Sequence, residues 1–261
     1  MAGGFTEASL KRLISFVFLG LVLTSPALAE PGCLLVVDAH SKAVIHETGE
    51  DCDEPNTPAS TFKVPLAVMG FETGYLKDGD NPALPWKPEY GVNKPEDKAT
   101  TTPRIWLRDS ILWYSRVLTR EMGMKTFAKF VADFDYGNAD VSGGLTKAWL
   151  NSSLRITPRQ QVAFIERLIE DRLPVSLPAL AMTREVIAQY QAGGWTVHGK
   201  TGTSYIAKGP LRLGWFVGWA DKGDRRVIFA KLVKDTKKTS AMAGPRALKE
   251  FLAEAEAVLG R

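Results

Sequence analysis

The sequence contains few of the side chains that bind transition metals. It has two cysteines, Cys33 and Cys52, and three histidines, His40, His46 and His198. The histidines are isolated from one another, and the cysteine pair has no second pair at the spacing of a zinc site. These absences argue against metal catalysis, and we expect no catalytic metal.

A strong excess of charge of one sign is also absent. The formal net charge is +4, from 33 basic and 29 acidic residues, and the excess is scattered along the chain. Because nucleic-acid-binding proteins concentrate positive charge in a patch or stripe, we expect no nucleic-acid partner. The composition, 45% hydrophobic and 24% charged, is that of a globular protein with a substantial core.

A single long apolar run occurs, near the N-terminus. Lys11 and Arg12 precede an uncharged apolar stretch that ends in the small residues of the segment 27–29. A basic start, an apolar centre and an A-x-A-like end are typical of a secretory signal. We predict a signal peptide over residues 1–29, with no stable membrane association after its cleavage. The alternative is a retained membrane anchor, because the run approaches spanning length.

The cysteine pair follows the predicted cleavage point. An exported protein folds under oxidising conditions, in which a lone pair of cysteines usually forms a disulfide. We predict a bond between Cys33 and Cys52, which closes a short loop and contributes about 3 kcal/mol to stability. The alternative is two buried free thiols.

Hydrophobic periodicity divides the chain into strand-like ends and a helical middle. This arrangement predicts an α+β fold, in which a central antiparallel sheet from about 30–50 and 194–261 is flanked by helices and encloses a helical part at about 60–190. The predicted strands are a hairpin at 33–47 and single strands at 195–203, 213–221 and 225–235. The predicted helices follow the apolar run from residue 60, then 103–123, 125–134, a segment capped by Thr157 with Pro158 at its first position, and 244–259.

The apolar run after residue 60 contains a serine and a lysine on one face. Ser60 and Lys63 are three residues apart, a spacing that brings side chains together on a helix. The simplest interpretation is that Ser60 or Thr61 caps the helix and that Lys63 is a solvated residue of the first turn. However, the neighbours of Lys63 are apolar nearly all round, which predicts a buried helix. Since burial lowers the pKa of a lysine, a neutral amine could accept a proton from the serine hydroxyl.

Further motifs follow in a specific order. A second serine lies in an aromatic-rich helical segment, a turn-like triplet lies between helices, and a Lys-Thr-Gly triplet ends a predicted strand. With the first motif they resemble the class D serine β-lactamases, the oxacillinases, whereas class A enzymes carry S-D-N as the second motif. The matching motifs are Ser60 to Lys63, Ser115 to Val117, Tyr136 to Asn138, Trp149 with Leu150, and Lys200 to Gly202. The strand 215–219, WFVGW, also looks like a strand of that family.

The resemblance implies roles around the nucleophile. Ser60 would be acylated by the substrate, and Lys63 would be N-carbamylated by carbon dioxide and serve as the base for both half-reactions. Trp149 would donate its indole N–H to the carbamate. Val117 and Phe62 would form dry walls of the pocket.

The resemblance also implies residues that bind and activate the substrate. The backbone N–H groups of Ser60 and Thr203 would stabilise the oxyanion. Ser115 would pass a proton to the departing lactam nitrogen. The carboxylate of the substrate would be bound by Lys200, Thr201 and an arginine of the C-terminal segment, for which Arg246 fits better than Arg225 or Arg226. Tyr136, Asn138 and His198 are expected to have structural roles.

The function implied is hydrolysis of a small-molecule β-lactam by residues 30–261, with no cofactor besides the carbon dioxide or bicarbonate that Lys63 requires. The predicted export signal implies a periplasmic protein. Two alternatives share the motifs: a β-lactam sensor domain, and a penicillin-binding transpeptidase or carboxypeptidase. Both would be acylated without fast deacylation. Their chains are usually longer, and the peptidoglycan enzymes usually carry S-x-N where this sequence has Ser-Arg-Val.

Overall fold

The computed structural model describes residues 1–3, 31–92, 94–206 and 209–260. The apolar run on which both the signal peptide and the membrane anchor were predicted lies outside the described residues. Within these ranges, the helices are all too short or too polar to cross a membrane.

Both ends of the described chain contribute to one antiparallel sheet. Its strand order is β2-β1-β6-β5-β4-β3, and every neighbouring pair is antiparallel. The predicted sheet, joining N- and C-terminal segments, is therefore confirmed. The strands are β1 (Gly32–Asp38), β2 (Val44–Thr48), β3 (Gln189–Ala192), β4 (Trp195–Tyr205), β5 (Arg212–Lys222) and β6 (Arg225–Lys234).

Helices cover both faces of the sheet. One face packs against the C-terminal helix and the other against the helical part of the chain. Side chains alternate between these two cores, so that Leu34 and Val36 of β1 face the C-terminal helix while Leu35 and Val37 face the helical part. The helices are α1 (Lys63–Glu72), α2 (Pro103–Asp109), α3 (Leu112–Asp133), α4 (Pro158–Ile169), α5 (Leu177–Val186) and α6 (Ala243–Leu259).

Helix α4 begins where the sequence predicts. The Thr157 hydroxyl accepts a hydrogen bond from the backbone N–H of Gln160 at 3.0 Å, and the Gln160 side chain accepts one from the N–H of Thr157 at 3.0 Å. This capping box, with Pro158 at the first helical position, satisfies two amide groups that the helix leaves unpaired. The predicted cap is confirmed.

The helix predicted over 103–123 is wrong in one respect, because it is two helices. Ser110 adopts a left-handed conformation, φ 60° and ψ 36°, which ends α2 and turns the chain before α3. The break predicted between 123 and 125 is present, since Gly123 has φ 74° and interrupts α3. The sheet also extends beyond the predicted start at 194, because β3 pairs with β4 at its outer edge.

A disulfide joins Cys33 on β1 to Cys52 in the loop after β2. The predicted pairing is therefore present, and the alternative of two free thiols is wrong. The bond ties the sheet to the segment that leads towards Ser60.

Candidate active site

Ser60 and Lys63 meet at the entrance to α1. The segment Ala59–Phe62 forms a 3₁₀ turn, and Lys63 is the first residue of α1. Lys63 Nζ donates a hydrogen bond to Ser60 Oγ at 3.2 Å. Within the described chain, neither this turn nor α1 has a side-chain cap, so the interpretation of Ser60 as an N-cap is wrong.

The turn is held in place by two distant segments. Ala59 has a positive φ of 50°, an uncommon conformation for alanine, and its N–H donates to the carbonyl of Trp149 at 3.1 Å. The indole N–H of Trp215 on β5 donates to the carbonyl of Thr57 at 2.9 Å, and the Thr57 hydroxyl donates to the Trp149 carbonyl. These bonds fix the backbone on which Ser60 is mounted.

Lys63 is fully buried, as its apolar neighbours predict. Burial lowers the pKa of Lys63 well below its ordinary value, and the positive charge of Lys200 lowers it further. The charge of Asp97 opposes this effect, while that of Arg116 adds to it. The amine is therefore poised to lose its proton and to accept one from a neighbouring hydroxyl.

Trp149 packs next to the start of α1. Its ring stacks on Phe62 with centroids 5.3 Å apart, and its edge-on neighbour Phe127 lies at 6.1 Å. The indole nitrogen of Trp149 is buried and has no hydrogen-bond partner among the described residues. Because a buried donor without an acceptor is unfavourable, this nitrogen requires an explanation.

Strand β4 runs directly beside the turn that carries Ser60. A Cβ at Gly202 would lie 3.2 Å from the backbone nitrogen of Ser60 and 3.1 Å from that of Thr61. Only a residue without a side chain therefore fits easily here, which explains the glycine of the Lys-Thr-Gly motif. The hydroxyl of the next residue, Thr203, accepts a hydrogen bond from the backbone N–H of Gly244 on α6 at 2.8 Å.

Lys200 is buried at the same edge of the sheet. Its ammonium donates hydrogen bonds to the hydroxyl of Ser110 and, at 3.0 Å, to the carbonyl of Thr201. Burial lowers the pKa of Lys200 to about 7, and the charge of Asp109 opposes that shift. The left-handed turn at Ser110 thus connects the helical part to β4.

Ser115 lies on α3, which packs against α1, and its side chain is fully buried. Its hydroxyl oxygen accepts a hydrogen bond from the indole N–H of Trp106 on α2 at 2.8 Å. Val117, two residues later, is buried in the same core. The second motif therefore lies in a dry environment.

Arg246 makes different contacts from those expected. It lies on α6 and pairs with Asp235 at 2.6 Å and with Glu250 at 3.5 Å. It lines a cavity of about 670 Å³ whose described lining residues do not include Ser60. Its role in binding a carboxylate stays a prediction.

Tyr136, Asn138 and His198, for which structural roles are expected, contact other residues of the fold. Tyr136 donates to the side chain of Gln161 at 3.3 Å, and Gln161 donates to the hydroxyl of Thr61 at 2.8 Å. Asn138 accepts from the N–H of Arg155 at 2.9 Å. The bonds of Gln161 join the loop before Trp149 to the turn that carries Ser60 and Thr61. His198 stacks on Trp219 with ring centroids 4.7 Å apart.

Three residues in or near this site were not predicted. They are Trp106, Ser110 and Gln161, which contact Ser115, Lys200 and Thr61 respectively. A buried tryptophan nine residues before Ser115 was a visible signal, but its hydrogen bond depends on the break between α2 and α3. The left-handed conformation of Ser110 could not be predicted, because a serine at this position is equally compatible with a helix that continues.

The chain is similar to known proteins over most of its length. The family described as "Penicillin binding protein transpeptidase domain" matches residues 32–253. The β-lactamase OXA-9 of Klebsiella pneumoniae is 38% identical, covering 96% of this chain and 97% of that protein. The β-lactamase OXA-1 of Escherichia coli is 33% identical, covering 76% of this chain and 74% of that protein.

Solved structures agree with these sequence relatives. The crystal structure of the class D β-lactamase OXA-427 is 41% identical, with a TM-score of 0.81, and covers 88% of this chain and 98% of that one. The class D β-lactamase BAT-2 is 28% identical, with a TM-score of 0.74, over 85% and 89% of the two chains. The fold, the order of the motifs and these identities together establish that the chain belongs to the class D serine β-lactamases, within the wider transpeptidase-domain family.

Proposed function

We propose that the protein hydrolyses penicillin-type antibiotics through an acyl-enzyme on Ser60, with Lys63 as the general base. The observation that carries this proposal is the hydrogen bond between Lys63 Nζ and Ser60 Oγ at 3.2 Å, made by a fully buried lysine. A serine hydroxyl is a weak nucleophile unless a neighbouring base takes its proton. Burial supplies such a base by lowering the pKa of Lys63.

Acylation requires stabilisation of the charge that develops on the lactam oxygen. The backbone N–H groups of Ser60 and Thr203 are the proposed donors, supported by the close approach of β4 to Ser60 at Gly202. Loss of one such donor typically raises the barrier by about 3 kcal/mol. Ser115 is the proposed donor of a proton to the lactam nitrogen as the ring opens. Water then attacks the ester, with the base at position 63 accepting its proton.

The residues around Lys63 fit an N-carbamate. A neutral amine can react with carbon dioxide, and the buried N–H of Trp149, which has no partner among the described residues, can donate to an anionic oxygen. The charges of Lys200 and Arg116, which lower the pKa of Lys63, also favour an anion there. When bound, carbon dioxide supplies an oxygen base for both half-reactions.

The substrate carboxylate is proposed to bind along β4. Lys200 and Thr201 of that strand are the proposed cation and hydroxyl donor. Arg246 joins them only if its guanidinium turns from Asp235, with which it now pairs at 2.6 Å. The predicted signal sequence and the disulfide support a periplasmic location, where such an enzyme confers resistance to β-lactams.

A time course with a penicillin tests the hydrolysis. Product is followed by absorbance and the protein by intact mass, with Ser60→Ala as the control that forms no adduct. We expect fast turnover with a transient adduct. A long-lived adduct without turnover would overturn hydrolysis and would favour the sensor or transpeptidase alternatives.

The carbamate is tested separately by repeating the assay after carbon dioxide is removed, and again after bicarbonate is added. Activity should fall on degassing and recover with bicarbonate, and Trp149→Phe, which keeps the ring but lacks the N–H, should need more bicarbonate. Indifference of both proteins to bicarbonate would remove the carbamate from the proposal while leaving hydrolysis intact.

A further inference from the structure

Trp106 and Ser115 form a buried hydrogen bond that the motifs of the family do not include. Both side chains are fully buried, and the indole N–H of Trp106 lies 2.8 Å from Ser115 Oγ. The indole ring is fixed by stacking on Tyr114, with centroids 5.4 Å apart. Helix α2, which carries Trp106, is itself capped by the Thr102 hydroxyl. The donor is therefore preorganised.

We propose that Trp106 is a positioning residue that sets the direction of proton transfer at Ser115. An indole N–H can only donate, so Ser115 Oγ must accept in this bond. The hydroxyl proton of Ser115 is then directed towards a different group. The two lysines of the site make their described hydrogen bonds elsewhere, Lys63 to Ser60 and Lys200 to Ser110 and Thr201.

This inference rests on the proposed function, in which Ser115 protonates the lactam nitrogen. As the carbon–nitrogen bond breaks, its electron pair stays on nitrogen and takes the proton of the Ser115 hydroxyl. Ser115 recovers a proton from the base at position 63, which took it from Ser60. The net change moves one proton from Ser60 to the nitrogen, and Trp106 keeps its own N–H throughout.

Trp106 also stabilises the oxygen of Ser115 during this transfer. When the proton leaves before its replacement arrives, negative charge develops on Ser115 Oγ in a dry pocket. A fixed donor interacts more strongly with a developing anion than with a neutral hydroxyl, and the low dielectric of the pocket increases the difference. The hydrogen bond is therefore worth more in the transition state than in the resting protein.

The basicity of the leaving nitrogen determines how much this matters. In a penicillin the departing nitrogen becomes a basic amine and needs a proton. In a cephalosporin the nitrogen is conjugated with the adjacent double bond, which delocalises its electron pair and reduces that need. Loss of the Trp106 N–H should therefore slow acylation by penicillins more than acylation by cephalosporins.

The test compares Trp106→Phe with the matched control Trp113→Phe. Trp113 is equally buried, and its N–H donates to the carbonyl of Asp97 at 2.9 Å, so its substitution also removes one buried indole hydrogen bond. Acylation rates are measured by stopped flow with one penicillin and one cephalosporin. We expect Trp106→Phe to slow acylation by the penicillin about 10- to 100-fold, with a smaller effect on the cephalosporin. Trp113→Phe should lower Tm without changing the ratio of the two rates.

A double substitution separates this inference from the proposed function. In a Ser115→Ala background, Trp106→Phe should have no further effect on the penicillin rate, because the oxygen it contacts is gone. Additive losses, equal slowing of both substrates or an unchanged rate in Trp106→Phe would each overturn the inference. An unimpaired Ser115→Ala would instead contradict the role of Ser115 itself. If Trp106→Phe does not fold, benzothienylalanine at position 106 keeps the shape of tryptophan and removes only the N–H.

Discussion

Two lysines are buried in one site, and the proposed chemistry requires them in opposite states of charge. Lys63 must be neutral to react or to accept a proton, whereas Lys200 must be charged to attract a carboxylate. Burial lowers the pKa of both, and their mutual proximity lowers that of Lys63 further. The charge of Asp109 opposes the lowering of the Lys200 pKa, so this aspartate helps to keep Lys200 charged.

The pH dependence of substrate capture follows from Lys200. Without a carbamate at Lys63 the pKa of Lys200 lies at about 7, and the proposed anionic carbamate would raise it, so with saturating bicarbonate kcat/KM for a penicillin should fall only as the pH rises above about 7. The bound carboxylate raises the pKa of Lys200, so kcat should fall only at higher pH. Profiles of kcat/KM and of kcat from about pH 5 to about pH 9, with saturating bicarbonate, measure where each of the two quantities falls.

Asp109→Asn tests the cause of this dependence. Removing the carboxylate charge should move the descending limb of kcat/KM to lower pH, whereas Asp224→Asn, in the exposed turn after β5, should leave it unchanged. A limb that does not move in Asp109→Asn would show that Lys200 is not the group responsible.

At the scale of elements, the first turn of α6 packs behind Thr203, the residue that carries a proposed oxyanion donor. The backbone N–H of Gly244 donates to the hydroxyl of Thr203 at 2.8 Å. A Cβ at Gly244 would lie 2.6 Å from the carbonyl oxygen of Gly202 and 2.7 Å from Thr203 Oγ1. Glycine lowers helix stability, so its presence here is explained by the close approach of helix and strand.

Gly244→Ala should therefore impair both stability and catalysis. The added methyl pushes α6 from β4, and overpacking of this kind typically costs about 1–3 kcal/mol. Because Thr203 carries a proposed oxyanion donor, kcat/KM for a penicillin should fall about 10-fold or more. Lys249→Ala, an exposed change on the same helix, is the control and should alter neither quantity. A stability loss with full activity would show that Thr203 does not depend on α6.

Across the whole molecule, buried strands and local motifs could be predicted from the sequence, whereas an exposed strand and contacts between helices could not. Strands β5 and β6 are buried over most of their length, so their continuous apolar runs identified them. The short edge strand β3 is partly exposed and carries no apolar run. Ser60, Lys63 and Lys200 could be found because motif spacing is local. The contacts of Trp106 and Ser110 depend on how α2 is oriented, which is a tertiary property that no local pattern encodes.

The disulfide links two parts of the whole molecule, because it joins the sheet to the segment that leads to Ser60. Cys33 and Cys52 are 19 residues apart, and a bond over such a loop contributes about 3 kcal/mol by restricting the unfolded chain. The segment between Cys52 and Ser60 has a second anchor, since Asn56 exchanges backbone hydrogen bonds with Ile156 at 2.9 and 2.8 Å. Reduction should therefore lower the free energy of unfolding while leaving kcat nearly unchanged.

Urea unfolding and penicillin turnover, each with and without dithiothreitol, measure the two effects separately. The double variant Cys33→Ala with Cys52→Ala is the control, because dithiothreitol should not change its stability. If reduction abolished turnover under conditions in which the protein stays folded, the bridge between Asn56 and Ile156 would not suffice to hold the Ser60 turn. Retained turnover would instead show that the hydrogen bonds of Thr57 and Ala59 to Trp149 and Trp215 suffice to hold the Ser60 turn, and that the disulfide acts on the unfolded chain.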